Sequence, residues 1–381
     1  MDSIPKHIDD EFIESILTST VVPVISNAFR LDDIFHDVQE LRRTMRQSPE
    51  FSDDVRTIDQ QLTKKWAKDT VKYPMADDHN LARVAQYHQV ILGDMEKAKK
   101  QYLSFLGKTL LEHYQDFEQY ADAVNRLQRM VPRPTFSKMV AELNLPSFPE
   151  NKDPLLLLAQ LPLPVYITTS YFGFIEAALK EVGKRPVTQY WSWYDEPVSI
   201  KYLPDTEYPA LQPPLPSVPL EDPRDFIPTP ERPAVYHLFG IEDTAKTLVM
   251  SEDDYMNFLV NSAQERVSMD VVPSELITAL SRKRLLLLGY QLGDWDFRAL
   301  FRFISKFRIG DRKYLTPSIS IQLKPTLANK QFEELQISYL EKYFDEYKFN
   351  VKWFDTAAFI YELVDAYNLS FVRQSGGRDQ S

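Results

Sequence analysis

Residues 285–296 read LLLLGYQLGDWD and join the most apolar run of the chain to glycine and carboxylate side chains. A short, uniformly apolar run is typical of a strand in a parallel sheet, because helices cover both of its faces. Glycine after such a strand lets a ligand approach the backbone, and an acidic side chain can bind ribose hydroxyls. Gly289, Tyr290 and Asp294 are therefore candidate nucleotide-binding residues, although Asp294 could equally cap a helix beginning at Trp295.

Four further apolar runs predict strands of the same kind, at residues 21–25, 164–168, 234–238 and 319–323. Between the first two runs the pattern is helical, with apolar residues spaced three or four apart on one face. This spacing joins Leu103, Leu106, Leu110 and Tyr114. The sequence therefore predicts an α/β fold, a doubly wound and mainly parallel Rossmann-like sheet with a large helical insertion.

The same pattern predicts how the chain is divided. We assign residues 1–35 to the first strand and turn, 36–150 to the helical insertion or subdomain, and 151–370 to the rest of the α/β domain. Residues 197–233 contain eleven prolines, which fix φ and remove backbone donors, so they predict a long, semi-rigid loop. Such a loop is either a partner-binding arm or, more commonly, a plain surface excursion. Residues 371–381 are predicted to be a disordered tail.

Composition excludes several classes of function. The chain has no cysteine, which removes disulfides, thiolate zinc sites and cysteine nucleophiles. Its formal net charge of -11 works against non-specific binding to nucleic acid. No stretch approaches the roughly 20 apolar residues of a membrane span, and the acidic beginning is unlike a secretory signal. We expect a cytoplasmic protein that binds neither membranes nor, through this chain alone, nucleic acid.

The turn after the first strand contains Ser26, Asn27 and Arg30 but no glycine. A dinucleotide site usually has glycines here, because the phosphates lie against the backbone. Asn27 tolerates unusual backbone angles and Arg30 can neutralise a phosphate. An ordinary strand-to-helix turn is the commoner explanation for this segment alone.

Two further strand ends carry polar side chains. Thr169, Ser170 and Tyr171 follow the second apolar run, and their hydroxyls could cap a helix or bind ribose or phosphate. His237 lies near the end of the third run and Gly240 follows it. A histidine there can act as a general acid or base near neutral pH, but within an apolar strand it is more often packed and hydrogen-bonded.

The order of these segments resembles the sirtuin-like family, in particular its bacterial branch linked to defence against phage. The resemblance spans roughly residues 16–365 and includes a closing segment, residues 339–359, similar to the end of that branch. Its motifs are the opening strand that ends at Ile25, the Thr168-Thr169-x-Tyr171 turn, Tyr236-His237-Leu238-x-Gly240, Ser251-Glu252-Asp253-Asp254-Tyr255, and the Leu-Leu-Leu-Gly-Tyr-x-Leu-x-Asp run from Leu286 to Asp294.

The resemblance implies binding of NAD or ADP-ribose, yet three positions depart from the family pattern. The family's Gly-Ala-Gly turn is replaced by residues 26–28, SNA, and the asparagine of its Thr-Asn-Tyr-Asp turn is replaced by Ser170. Its catalytic histidine precedes glycine, where this chain has Phe239, which cannot transfer a proton. His237 lies two positions earlier, about 6–7 Å away on the same face of the strand. The missing cysteine-based zinc module makes protein deacetylation improbable.

Two functional hypotheses follow. The first is a nucleotide-binding or assembly module, a catalytically degenerate pseudoenzyme that acts as a homo-oligomer in a bacterial defence complex. The second is an NAD glycohydrolase that is activated by a partner ATPase encoded nearby, with Ser170, His237, Asp294 or Asp296 taking over the missing roles. Phe239, in the place of the family's catalytic histidine, favours the first hypothesis, since general acid-base catalysis contributes about 10²- to 10⁴-fold to the rate.

Aromatic residues near the proline-rich loop are candidates for partner contacts. Trp191, Trp193 and Tyr194 lie just before this loop, and aromatic residues are enriched at protein interfaces. They are equally suited to the core. The sequence leaves both possibilities open.

Overall fold

The computed structural model describes residues 8–35, 58–148, 152–194, 199–203, 226–263, 272–290, 295–308, 317–322 and 330–376. Eight strands within these ranges form one sheet: β1 (Val21–Ile25), β2 (Val165–Thr168), β3 (Val187–Ser192), β4 (Ser199–Tyr202), β5 (Ala234–His237), β6 (Arg284–Leu288), β7 (Ser318–Gln322) and β8 (Phe349–Trp353). Their spatial order is β4-β3-β5-β2-β1-β6-β7-β8. Every neighbouring pair is parallel except β3 and β4. The predicted doubly wound α/β class is confirmed.

All five apolar runs form strands near their predicted bounds, and β1 and β6 are buried along their whole length. Strands β3, β4 and β8 were not predicted, because each mixes polar and apolar residues. In β3, Thr188, Gln189 and Ser192 are buried although their side chains are polar. β4 lies within residues 197–233, so the expectation of a continuous loop there is wrong for these four residues; 204–225 lie outside the described ranges. Ser199–Tyr202 lack proline and can pair with β3.

Six of the described helices between β1 and β2 pack against one another beside the sheet. They are α2 (Ala28–Ile34), α3 (Ile58–Trp66), which continues as a π-helical turn (Ala67–Val71), α4 (Leu81–Leu92), α5 (Met95–Tyr114), α6 (Ala121–Arg129) and α7 (Phe136–Glu142); α1 (Asp10–Leu17) precedes β1. Helix α5 buries Leu106, Leu110 and Tyr114, as its spacing predicts. It contacts α3, α4, α6 and α7, and also the 3-10 helix that follows β5. This helical layer therefore lies against the chain as it leaves β5.

The remaining helices cover the two faces of the sheet. They are α8 (Pro154–Gln160), α9 (Phe174–Glu181), α10 (Glu252–Ala263), α11 (Ser274–Arg282), α12 (Trp295–Arg308), α13 (Lys330–Asp345) and α14 (Thr356–Gly376). Near the start of β3, Thr188 donates a hydrogen bond to Glu176 of α9. Just after β3 ends, Trp193 packs edge-on against Phe258 of α10. Helices α9 and α10 therefore contact the chain near opposite ends of this strand.

The structure shows where the three aromatic residues at the end of β3 and directly after it lie. Trp191 and Trp193 are buried and stack with ring centroids 5.8 Å apart. Tyr194 is half-buried, and its hydroxyl donates to Asp254. The expectation of surface partner contacts is wrong for these residues, because β3 is covered on both faces and its aromatic side chains fill the core.

Helix α14 corrects the expectation of a disordered tail from residue 371. The helix continues to Gly376, so residues 371–376 are helical, and 377–381 lie outside the described residues. Ile360, Leu363 and Val364 anchor the helix in the core, and each further turn then adds a hydrogen bond per residue fixed. In the part of the chain that the structure describes, no helix is both long and apolar enough to span a bilayer.

Candidate functional site

The strand order reverses between β1 and β6, which is where doubly wound folds bind ligands at the carboxyl ends of their strands. Ser26 follows β1 and Gly289 follows β6. The Ser26 hydroxyl donates a 2.6 Å hydrogen bond to the Gly289 carbonyl oxygen. Gly289 has φ +76, and a Cβ on it would lie 2.7 Å from Ser26 Oγ. Gly289 is therefore required by the packing, and Ser26 bridges the crevice.

Asn27 and Ser170 meet beside this bridge. The Ser170 hydroxyl donates to Asn27 Oδ1 at 3.0 Å, which links the end of β1 to the end of β2. Asn27 has ordinary helical angles, φ -63 and ψ -39, so this segment is the ordinary strand-to-helix turn that the sequence favours. The hydroxyls after β2 do not cap a helix, because α9 begins at Phe174 with Gly173 as its N-cap. They form hydrogen bonds between strand ends instead.

Arg30 is engaged by a carboxylate. Its guanidinium forms two hydrogen bonds with Asp153, at 2.6 and 2.7 Å, and both side chains are largely buried. Asp153 also accepts from Leu155 N as the N-cap of α8. The phosphate-binding role expected for Arg30 is not supported, since both terminal nitrogens of its guanidinium already donate to Asp153.

Tyrosine hydroxyls form further hydrogen bonds at the strand edge. Thr169 and Tyr290 share a hydrogen bond of 3.1 Å between their hydroxyls, and the Tyr171 hydroxyl donates to the Val249 carbonyl at 2.9 Å. Burial raises the pKa of Tyr171, Tyr255 and Tyr290 well above 10. The nearby charge of Asp296 acts in the same direction on all three. These hydroxyls stay protonated at neutral pH and serve as hydrogen-bond donors and acceptors.

His237 lies within the sheet and is fully buried. Its Nδ1 is 2.8 Å from the Ser170 carbonyl oxygen, which can only accept, so Nδ1 carries a proton. Its Nε2 is 2.8 Å from Glu176 Oε1, which also accepts from Thr188. Burial alone would lower the pKa of His237, but the Glu176 carboxylate raises it above its ordinary value. Burial would likewise raise the pKa of Glu176, whereas the charge of His237 holds it below its usual value.

The proton between these two groups therefore resides on the imidazole, as a buried imidazolium-carboxylate pair. Every polar atom of the ring is engaged inside the fold, and none is directed at the strand edge. The sequence-based alternative of a packed, hydrogen-bonded histidine describes His237 better than that of a general acid or base.

Phe239 occupies the position before Gly240 and is fully buried. Its ring contacts Tyr255 and Phe258 edge-on, with centroids 5.5 and 5.0 Å away. Gly240 has φ +80, and a Cβ on it would meet the Thr247 carbonyl oxygen at 2.3 Å. The turn at Gly240 packs closely against Thr247, and the side chain of Phe239 before it is part of the core.

Buried charges join the helical layer to the chain after β5. Lys99 of α5 lies 3.0 Å from Asp254 of α10, both with side chains 1% exposed. Asp254 also caps α10 by accepting from Met250 N and Ser251 N. Burial lowers the pKa of Lys99, and the charge of Asp254 opposes that shift.

Glu242 provides the second connection. Its carboxylate accepts from Phe136 N at 2.7 Å and from Ser137 N and Oγ at the start of α7. Burial raises the pKa of Glu242 to about 7, although the hydrogen bonds from Ser137 favour the charged form. The side chain lines a cavity of about 190 Å³ between α5 and α7.

The structure thus gathers most of the predicted site residues at one edge, but as a hydrogen-bonded network. Asp294 lies outside the described residues, and Asp296 is in the first turn of α12. Sequence patterns did not reveal two carboxylates that engage predicted site residues, Asp153 with Arg30 and Glu176 with His237. An acidic residue among apolar helix-forming residues, as Glu176 is in FIEAAL, is a sequence signal for one of them.

These features define the class of protein: a doubly wound α/β fold of the nucleotide-binding type, with its site at the carboxyl edge of the sheet. Residues 164–343 match the family model of the SIR2-like domain. The chain therefore contains a sirtuin-like domain in this range, and the predicted resemblance is confirmed at the level of the family. The matched range excludes β1, although β1 lies in the middle of the sheet. The chain has no significant sequence match among curated proteins.

SIR2-like domains generally bind NAD-related ligands, so the residues at this edge are compared with what such a ligand needs. The turn after β1 does not fit a diphosphate, because Ser26 bridges to Gly289 and Arg30 is paired with Asp153. The hydroxyls of Thr169 and Tyr290 are of the type that binds ribose. The ribose-binding part of a nucleotide therefore suits this edge better than its phosphates.

Proposed function

We propose that this protein is a SIR2-like module that does not hydrolyse NAD. One observation carries the proposal: at the position before Gly240 the chain has Phe239, and His237 is held in a buried pair with Glu176. Cleavage of the nicotinamide bond in the family depends on a histidine at that position, as the resemblance implies. The aromatic side chain here can neither accept nor donate a proton.

No described side chain at the strand edge supplies an equivalent group. The tyrosines have pKa values raised well above 10, and a general acid or base works best with a pKa near the ambient pH. Asp296 and Ser170 lie in the same region, but both already form interactions within the fold. The residues supply hydrogen bonds for binding, and the proposal is binding without turnover.

The proposed ligand class is ADP-ribose or NAD, held mainly through its sugar hydroxyls and base. Isothermal titration calorimetry with ADP-ribose, NAD and adenosine tests this directly. Binding of adenosine nearly as tight as that of ADP-ribose is the expected result, since the turn after β1 does not fit phosphates. A Tyr290→Phe variant should weaken binding, because it removes the hydroxyl that bonds Thr169. Absence of heat with all three ligands would leave only an assembly role.

The alternative function is an NAD glycohydrolase, and one contact favours it. The family's catalytic asparagine is replaced by Ser170, yet the amide of Asn27 lies 3.0 Å from Ser170 Oγ. The amide of Asn27, which follows β1, therefore lies close to the position at which the family has its asparagine after β2. This pair could position a water if a partner protein activated the site.

Release of nicotinamide from NAD separates the two functions. We expect no release above the uncatalysed background, either from the protein alone or with a partner ATPase encoded nearby. Turnover that is abolished by both Ser170→Ala and Asn27→Ala would establish the alternative. A Thr169→Ser variant, which keeps its hydroxyl, is the matched control for both substitutions.

Partners and context complete the proposal. The resemblance to the bacterial branch linked to phage defence supports a role in such a complex, with the protein as a homo-oligomer. The net charge of -11 supports protein partners more than nucleic acid. Size measurement of the purified protein by sedimentation velocity tests the homo-oligomer, and a monomer at every concentration would contradict it.

A further inference from the structure

The cavity between helix α5 and the start of α7 is large enough for a small ligand. Its volume is about 190 Å³, and an engineered apolar cavity of about 150 Å³ holds benzene. A ligand of about six to nine non-hydrogen atoms therefore fits it. The described residues that line it are Leu103, Ser104, Gly107, Arg133, Pro134, Thr135, Phe136, Met139 and Glu242.

The inner wall of this cavity is apolar. Phe136 and Met139 of α7 are buried, and Leu103 of α5 is half-buried. A Cβ on Gly107 would lie 3.1 Å from Met139 Sδ, so the glycine in α5 lets the methionine approach the helix. An apolar group of a ligand can pack against these side chains, as in most small-molecule sites.

Glu242 places a buried carboxylate in the wall. Its side chain accepts hydrogen bonds from Phe136 N and from Ser137 N and Oγ. These three donors are uncharged. A carboxylate has about four acceptor sites, so one site remains for a donor of a ligand.

The charge of Glu242 has no partner of opposite sign. Among the described residues, none forms an ion pair with it. The charge of Glu242 raises the pKa of His237, but that imidazolium is already paired with Glu176. Burial raises the pKa of Glu242 to about 7, and the charge of Asp243 adds to the rise. A cationic donor in the cavity would therefore stabilise this carboxylate.

Arg133 provides a cation in the same wall. Its side chain is exposed, whereas that of Glu242 is buried, so Arg133 is at the open side of the cavity and Glu242 at the inner side. Within the described part of the chain, Arg133 forms no ion pair. A guanidinium whose donors are available binds a carboxylate through two parallel hydrogen bonds.

We propose that this cavity is a second ligand site, which binds a small α-amino acid with an apolar side chain. The ammonium group donates to the remaining acceptor site of Glu242, the carboxylate accepts from Arg133, and the side chain packs against Met139. A ligand with one charge alone would meet a like charge in the wall, whereas a zwitterion complements both. The inference is independent of NAD binding, because the described lining residues differ from those at the strand edge.

Titration of the full-length protein with L-valine tests the proposal, with its carbon-13-labelled methionine methyl groups observed by NMR. The methyl group of Met139, assigned with a Met139→Leu variant, reports binding inside the cavity. Isobutylamine and isovalerate are matched analogues, since the first lacks the carboxylate of valine and the second its ammonium group. We expect L-valine to shift the Met139 signal with a Kd at least about tenfold lower than that of either analogue, because each lost partner removes a charge-assisted hydrogen bond.

Two substitutions connect each charge of the ligand to one residue. Glu242→Gln should raise the Kd of L-valine at least about tenfold and make L-valine and isovalerate bind alike, since the ammonium group loses its partner. Arg133→Gln should make L-valine and isobutylamine bind alike for the corresponding reason. The matched control is Arg129→Gln, which changes an exposed arginine of α6 that is not among the lining residues and should leave every Kd unchanged.

Three results would overturn the proposal. The first is a Met139 signal that millimolar L-valine does not move, and the second is equal affinity for L-valine and both analogues. The third is competition between L-valine and ADP-ribose, which would place the amino acid at the strand edge. If thermal unfolding shows that Glu242→Gln does not fold, Arg133→Gln and the two analogues carry the test. Calorimetry with ADP-ribose tests the strand edge separately, so failure of one proposal leaves the other standing.

Discussion

At the scale of single residues, His237 and Phe239 lie two positions apart at the end of β5 in contrasting surroundings. His237 is between a carboxylate and a carbonyl oxygen, so it is a charged group that is fully satisfied inside the fold. Phe239 is fully buried and packs edge-on against the rings of Tyr255 and Phe258. We therefore expect a change of either residue to alter the free energy of unfolding more than any catalytic activity.

The first prediction concerns Phe239. Replacing it with histidine, the residue that the family has before its glycine, should cost about 2–4 kcal/mol, because a polar ring enters a fully buried site that packs against aromatic rings. Phe239→Leu, which keeps the site apolar, should cost about 1–2 kcal/mol. Urea unfolding measures both values. Equal costs for the two variants would mean that the site tolerates a polar ring.

The second prediction concerns pH. A raised pKa in the fold means that His237 contributes stability fully below about pH 6.5, and that this contribution is lost as the pH rises. The lowered pKa of Glu176 gives a contribution present above about pH 4.5 and lost on acidification. The pair therefore stabilises most between these values.

The free energy of unfolding of the wild type minus that of a His237→Gln, Glu176→Gln double variant should fall above about pH 6.5, by up to about 1.4 kcal/mol per pH unit. Both members of the pair are replaced because Glu176 alone, buried without its cation, would itself titrate in the variant; the difference then cancels groups outside the pair, including Glu242. Urea titrations from about pH 5.5 to about pH 8.5 measure it. A difference that stays constant over this range would show that His237 is neutral in the fold.

At the scale of elements, the turns after β5 and β6 depend on glycines at positive φ. A Cβ on Gly240 would clash with the Thr247 backbone, and a Cβ on Gly289 would clash with Ser26 and Phe29. Gly93 also has positive φ, but nothing lies within 4 Å of its Cβ position. Comparing alanine substitutions at these three glycines therefore separates the cost of backbone strain from the cost of close packing.

We predict that Gly240→Ala and Gly289→Ala each cost more than about 2 kcal/mol, and that Gly93→Ala costs about 1 kcal/mol, the strain alone. Thermal unfolding of the three variants gives the comparison. Gly240→Ala should be the most damaging, since the atom it meets is a backbone carbonyl and cannot rotate away. Equal losses at all three positions would show that packing against Thr247 and Ser26 contributes nothing.

The elements also show what the sequence could reveal. Uniform apolar runs predicted β1, β2, β5, β6 and β7, because parallel strands covered on both faces need apolar side chains throughout. β3 was missed because Thr188 and Gln189 are polar. Thr188 is nevertheless buried, and its hydroxyl donates to Glu176, a partner that the segment itself does not specify. The helices of the insertion followed from their period. Where they pack did not, since Lys99 and Asp254 are far apart in the chain.

The same limit applies to the site. Strand ends indicated residues that meet at one edge of the sheet, and the replacement of the family's histidine was visible as Phe239. The engagement of Arg30 by Asp153 was not, because nothing local in either segment specifies the other. Long-range polar pairs are fixed by the packing of the whole molecule, which sequence patterns of one segment do not contain.

At the scale of the whole molecule, the SIR2-like match and the folded unit have different bounds. Residues 164–343 match the family, but β1 pairs with both β2 and β6 in the middle of the sheet. Without β1, β2 and β6 would each present an unpaired edge. The opening segment is therefore part of the same folding unit as the match.

We predict that a chain beginning at residue 152 does not unfold cooperatively, because its sheet lacks the central strand. Differential scanning calorimetry of this chain and of the full chain measures it. Removing the residues after Gly376 is the matched control and should leave the transition unchanged, since these residues lie beyond α14. A sharp transition in the truncated chain would show that β2 and β6 can pair without β1.

The central claim is that His237, at the end of β5, stabilises the fold and does not act as a general acid or base. Nitrogen-15 NMR of the imidazole rings, with His237→Gln to assign the signal, tests it most directly. The account predicts that both ring nitrogens of His237 stay protonated at neutral pH and that addition of ADP-ribose leaves their signals unchanged. A neutral ring that titrates near pH 6.5 and shifts on addition of the ligand would contradict it.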